Sequence, residues 1–318
     1  MVCERRNQNS LLALNGRRMN YDLTNKTMII TGANSGIGKA ASAQLAKLGA
    51  NVVMMCRSRE RGEQALADVK AASNSDNVEL ILVDMSSQKS VHNAVNEFLS
   101  KNSRLDVLIH NAANFDHRQK KPVITEDGLE NVFATNHVNI FLMTQLLLHT
   151  LKQSAPSRII TVASKGLITY PFLDVDFDNL TGEKNFSMQH AYYQAKQAQV
   201  MYTFDLAERL KGAGVTVNCV RVGNVAVPDT RLDHLPKWLL KVYHAKRRFA
   251  LTPEKMAETY VWLAADPSLK DVTGGYWDAP ETHVKANKNA YNRETQKRLW
   301  EVTEKLSFIQ NEAQRTIA

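Results

Sequence analysis

The chain predicts an α/β fold, a doubly wound parallel sheet of about seven strands with helices on both faces. Three observations lead there. Short runs rich in Val, Ile and Met are almost wholly apolar, which suits strands buried on both faces. Each run is followed by a longer segment of helical periodicity, the alternation of crossover-connected parallel strands. A glycine-rich turn joins the first run to the first helical segment.

Taken in order, the first strand reads "KTMIITG", and the helix after the turn extends to about Lys47. The second strand, "ANVVMMCR", leads into a helix from about Arg59 to Ala72. The third strand is "VELILVD", with a helix from about Ser87 to Ser100, and the fourth is "LDVLIHNA". A helix over about Leu129 to Leu151, the strand "SRIITVAS", a helix from Gln189 to Lys211 and the strand "VTVNCVRVG" complete the regular series. No repeat or low-complexity linker interrupts it, so one domain is expected over 25–285, with an amphipathic lid at 228–250. Residues 1–24 read as a loose arm or short docking helix, and 286–318 as a helical tail.

Composition narrows the function classes. The chain has 318 residues, 44% of them hydrophobic, enough for a sizeable core. Its 40 Lys+Arg against 32 Asp+Glu leave a net charge of +8, which suits an anionic cofactor. The cations are dispersed, with knots at Lys120-Lys121 and Lys246-Arg247-Arg248 that read as solvated surface, and no nucleic-acid-binding motif accompanies them. Three cysteines, Cys3, Cys56 and Cys219, lack Cys-x-x-Cys spacing, which points to a reducing, cytoplasmic setting and to no metal site. No run reaches the roughly 18 uninterrupted apolar residues of a membrane span, although peripheral membrane contact remains compatible with the basic knots.

The turn "TGANSGIG" lies between the first strand and first helix. Glycines there allow a sharp turn and a close approach of backbone to a pyrophosphate, while the helix N-terminus offers amide donors. A plain structural turn would not need that placement. Gly32, Asn34, Ser35, Gly36, Ile37 and Gly38 are therefore candidate nucleotide contacts. The second strand ends with Cys56 where an acid would hold a ribose 2′-hydroxyl, and Arg57 follows it. Lys39 adds a further cation beside the turn. This pattern favours NADP(H) over NAD.

"HAYYQAK" supplies the chemistry. Tyr192 and Lys196 are one helical turn apart, so an ammonium could approach a phenol and favour its ionised form. By itself the pair fits an ordinary amphipathic helix face equally well. Together with "TGANSGIG", "NAA" and "VAS", however, it resembles the short-chain dehydrogenase/reductase family, in particular its retinol dehydrogenase and protochlorophyllide reductase branch, over about Asn25 to Trp277. The resemblance implies a Rossmann-type domain and an NADP-dependent oxidoreductase. In it Tyr192 would exchange the substrate proton, Lys196 would lower the phenol pKa and hold the nicotinamide ribose, Ser164 would polarise the carbonyl and Asn136 would complete a proton relay. It further implies adenine contact for Asp84, a structural turn at Asn111 and a cofactor loop at Gly223. Asp84 could instead cap the next helix. Tyr193 reads as packing or as the pocket edge.

Departures from the family pattern bear on the nicotinamide pocket. Ala112-Ala113 replace the usual Ala-Gly and would resist a left-handed backbone. Val222 replaces a proline, and Val227 stands where a hydroxyl is common, with Thr230 nearby. In the lid, Leu235, Trp238, Leu239, Val242 and Tyr243 share an apolar side suited to a lipophilic small-molecule substrate. The reaction expected is hydride transfer between nicotinamide and a carbonyl or alcohol. Carbon-carbon double-bond reduction and non-catalytic NADP(H) sensing are the alternatives. The family resemblance also allows a homodimer or homotetramer.

Overall fold

The structure is a computed structural model that describes the backbone of residues 12–14 and 17–19, and residues 21–226 and 250–307 in full. Eight strands form one sheet in the order β5-β4-β3-β6-β7-β8-β9-β10. These are β3 (Thr27–Thr31), β4 (Asn51–Cys56), β5 (Val78–Leu82), β6 (Val107–His110), β7 (Ser157–Ser164), β8 (Val215–Val222), β9 (Tyr276–Ala279) and β10 (Thr282–His283). All neighbours from β5 to β9 are parallel, and the short edge strand β10 returns antiparallel to β9. The six strands expected from the apolar runs are present. The last two add to them without a comparably long apolar run.

Strand periodicity explains those runs. Met28 and Ile30 face one hydrophobic cluster while Ile29 faces the other, and Val52 and Met54 alternate likewise with Val53 and Met55. Helices α1 (Gly36–Lys47) and α6 (Pro253–Ala265) cover the first face. The second carries α3 (Gln88–Lys101), a helix α4 over 131–153, and α5 (Met188–Arg209). Helix α2 (Arg59–Ser73) follows β4. Strand order reverses between β3 and β6, which opens a crevice beyond their carboxyl ends.

The N-terminal segment differs from expectation, whereas the expected C-terminal helix is present. Residues 12–14 and 17–19 are neither loose nor helical, because Leu12–Leu14 (β1) pairs antiparallel with Arg17–Met19 (β2). Tyr21 and Leu23 are already buried in the core, and the Tyr21 hydroxyl donates to Asp266 at 2.8 Å. The body of the fold thus starts before Asn25. Helix α7 (Arg293–Leu306) forms where a helical tail was expected, but it packs on the body, burying Leu299 and Thr303. Its amphipathic pattern reflects that packing rather than a free helix. The lid expected at 228–250, with Val227 and Thr230 beside it, lies outside the described residues apart from Ala250. No helix among the described residues is long and apolar enough to cross a membrane.

Candidate active site

The glycine turn is shaped by backbone needs and by close approach. Gly32 and Gly36 take φ values of +66° and +57°, which side-chain-bearing residues rarely adopt. Gly38 has an ordinary backbone, yet a Cβ there would stand 2.5 Å from Asn111 Nδ2 and 2.7 Å from the Gly32 carbonyl oxygen. Asn111 locks the turn to the end of β6, as its Nδ2 donates to the carbonyls of Thr31 (2.9 Å) and Gly32 (3.2 Å). Its Oδ1 accepts from the Tyr260 hydroxyl at 3.1 Å. The neighbouring Ala112 and Ala113 have no left-handed backbone, so the alanines that replace the usual turn sequence carry no conformational strain.

A cleft of about 410 Å³ opens above this turn. Gly32, Asn34, Ser35, Gly36 and Ile37 line its floor, with Asn111 beside them, and Ser35 is the N-cap of α1. Arg57 and Asp84 line the far end, with 3.9 Å between guanidinium and carboxylate. The other Asp84 oxygen accepts from the Ser86 amide at 2.9 Å and hydroxyl at 2.7 Å, so Asp84 also shapes the turn before α3. Cys56 is buried against the same end. Five predicted contacts fall outside the lining: Gly38 lies beneath the turn against Asn111, Tyr192 and Lys196 are on a later helix, and Lys39 and Gly223 face elsewhere. Lys39 turns away to pair with Asp68 of α2, and Gly223 sits beside Lys165 behind the rim formed by Val225 and Ala226. Arg61, one turn into α2, lines the cleft instead. Its place on a charged helix gave no sequence signal separating it from Arg59.

Asn136 is buried in a π-helical stretch, Ala134–Val138, between the α-helical segments Asn131–Phe133 and Asn139–Gln153 of α4. Such insertions re-aim backbone groups and recur at functional sites. The Asn136 side chain accepts from the Asn114 amide at 2.7 Å and donates to its carbonyl at 2.9 Å, fixing the loop after β6. Asn114 in turn lines the cleft. The next residue, Phe115, lays its ring 4.4 Å from that of Tyr192. The tyrosine therefore stands just beyond the cleft rim.

Ser187 caps the start of α5 by accepting from the His190 amide at 3.2 Å, and this helix carries Tyr192 and Lys196. Burial pushes the Tyr192 phenol up to about 12, with the Tyr193 phenol adding to the rise and the Ser164 hydroxyl, which faces it from the end of β7, opposing it. Lys196 is wholly buried, which lowers its amine to about 8. Its Nζ donates to the Val162 carbonyl at 2.6 Å and to Gln199 Oε1 at 3.0 Å, and stands 5.8 Å from the Tyr192 ring centroid. Both of these hydrogen bonds run to groups of the core rather than to the Tyr192 phenol. Tyr193 packs on Tyr170 at 4.7 Å and covers Gly166, where any Cβ would strike its hydroxyl.

On the other side of Phe115 a groove of about 360 Å³ is lined by His117, Phe186 and Met188. The one phenylalanine in the otherwise polar loop "NAANFDHRQKK" was its available signal. Two buried histidines stay out of this chemistry. Burial lowers His110 and His137 to about 3, and each ring meets a threonine hydroxyl, Thr144 and Thr303 respectively, at 2.8 Å.

Residues 26–174 match the family model described as short chain dehydrogenase. Over 294 residues the chain is 37% identical to human retinol dehydrogenase 14, covering 88% of this chain and 85% of that protein. The chain belongs to the short-chain dehydrogenase/reductase family. Mouse retinol dehydrogenase 11, also similar to this member of the family, is 34% identical across 89% of this chain and 87% of its own. Among solved structures, the Pseudomonas aeruginosa RhlG/NADP active-site complex shares the fold with a TM-score of 0.64 at 24% identity, covering 80% of this chain and 94% of that one. The short-chain dehydrogenase/reductase fold with its Rossmann-like sheet is thereby established, and the chain is a member of an oxidoreductase family.

Proposed function

We propose that the protein is an NADP(H)-dependent oxidoreductase acting on a lipophilic carbonyl or alcohol, with Tyr192 as the proton donor and acceptor. The observation that carries this reading is the desolvated Tyr192 phenol, faced by Ser164 and reached from the cleft through Asn114 and Phe115. The cleft suits a dinucleotide: no side chain fits at Gly38, and the space beside Gly36 is open. Main-chain amides at the start of α1 would hold the pyrophosphate, and Arg57 and Arg61 would meet a 2′-phosphate where Cys56 offers no acid. When bound, the nicotinamide supplies or receives the hydride.

The chain's own residues then manage position and proton. Ser164 would hold the substrate oxygen, and Tyr192 would give it a proton in reduction or remove one in oxidation. Burial raises the Tyr192 phenol, so at neutral pH it holds the proton that a donor must carry. Asn136 would fix the loop that carries Phe115 over the reacting oxygen. The Phe115 ring against Tyr192 supports an apolar substrate, as does similarity to proteins named retinol dehydrogenases.

NADPH oxidation should be followed with retinal, long-chain aldehydes and polycyclic ketones, in parallel with Tyr192→Phe. Turnover should fall roughly 10²–10⁴-fold in the variant. Retained turnover would remove Tyr192 from its assigned role, and NADPH binding without turnover on any substrate would favour a sensor.

A further inference from the structure

Lys196 is held by a partner that no part of the reaction scheme has used. Gln199 follows it by three positions on α5 and is fully buried. Its Oε1 accepts from Lys196 Nζ at 3.0 Å, beside the Val162 carbonyl at 2.6 Å. An ammonium carries only donors, so the amide atom facing it must be the oxygen. That orientation leaves Gln199 Nε2 buried with no hydrogen-bond partner. An unmet buried donor costs free energy, so something must fix the amide in this direction. The ammonium is the group that does so.

The turn bearing Gln199 is itself anchored. Its main-chain carbonyl accepts from Thr203 Oγ1 at 2.8 Å, and Thr203 shares a 2.6 Å hydrogen bond with Thr161 of β7. The ammonium is thereby anchored to core acceptors while it stands 5.8 Å from the ring of Tyr192, one turn earlier on the same helix. The seat that retains it is rigid.

We propose that Gln199 is a positioning residue for Lys196: with the Val162 carbonyl it holds the ammonium in a fixed seat beside Tyr192. This deepens the oxidoreductase reading and rests on Lys196 having a role at the cofactor. Two titratable groups face the lysine: the Cys219 thiol from β8 and the Tyr192 phenol on its own helix. Tyr260 of α6 approaches both of those groups, and β7 contributes the Val162 carbonyl and Thr161. No carboxylate lies among these groups, so Gln199 and Val162 supply the acceptors that keep the amine charged.

The test begins on the cofactor-free full chain. Two-dimensional NMR of labelled lysine Cε groups, with Lys196 assigned by its loss in Lys196→Met, follows the amine through its titration. Gln199→Met keeps the side-chain length but removes the acceptor, and should move the Lys196 midpoint down by about one pH unit. Gln199→Glu puts a carboxylate in the seat, and should move it up by a similar amount while weakening NADPH binding about tenfold. Should the methionine variant not fold, Gln199→Asn withdraws the acceptor by one methylene and should give a smaller downward shift. Opposite shifts are a result that a purely packing role would not produce. Unchanged midpoints, or shifts of the same sign in both variants, would overturn the proposal. Because the titration needs no substrate, it stands apart from the turnover screen that tests the enzymatic reading.

Discussion

The two ends of the parallel sheet use polar residues in opposite ways. At the amino ends of the strands they satisfy one another. Asp106 receives Arg104 through two nitrogens at 2.7 and 2.6 Å, Lys26 at 3.0 Å and the Thr27 amide at 3.0 Å. Arg158 donates to the carbonyls of Leu263 and Asp266, both at 2.8 Å, while Tyr21 closes on the Asp266 carboxylate. At the carboxyl ends, Asn111 and Asn136 bond loop backbones and hold a cleft open. Fastening and cleft-building are thus separated along the strand axis, so the rim can keep its positive-φ glycines without loosening the core beneath.

Substitutions at the two ends should therefore have separable effects. Gly38→Ala should reduce NADPH affinity on the order of a hundredfold, as its methyl displaces Asn111 and the turn. Calorimetric titration reads this directly, and unchanged affinity would show that the turn tolerates displacement. Asp106→Ala should lower stability by about 1.5–3 kcal/mol in thermal melts at pH 7 while leaving turnover per folded molecule intact. Burial alone would raise this carboxyl, but the Arg104, Thr27 and Lys26 hydrogen bonds hold it below the ordinary range. A depressed folded value contributes stability above the unfolded pKa, lost as pH falls through the folded one. The gap between wild type and variant should accordingly close below about pH 4. A turnover defect in folded Asp106→Ala would break the separation of the two ends. The smallest change is expected at Arg57→Ser, which should cut the preference for NADPH over NADH about tenfold. Equal loss of both cofactors would point to general electrostatics instead of 2′-phosphate contact.

Much of this arrangement was legible in the residues. Unbroken apolar runs such as Met28 to Ile30 betray strands covered on both faces, and the turn at Gly32 to Gly38 combines backbone necessity with a fixed place between strand and helix. Tyr192 and Lys196 were legible as a pair, but the direction of the lysine was not. Periodicity reports which side of a helix a residue occupies, whereas the seat at Gln199 depends on strands β7 and β8. The π-helical register around Asn136 was hidden for a similar reason: "FATNHVNIF" has ordinary helical composition. Lys39 looked like a cofactor cation because sequence places it beside the turn, yet a carboxylate on the next helix claims it.

Under the proposed proton relay through Asn136, the 2.8 Å contact between His137 and Thr303 would give α7 a mechanical part in turnover. The contact braces the residue next to Asn136, so displacement of that helix would reach the proposed relay before it reached the glycine turn. Loosening the brace would yield a protein that still grips its dinucleotide but reacts slowly, a defect invisible to a binding assay.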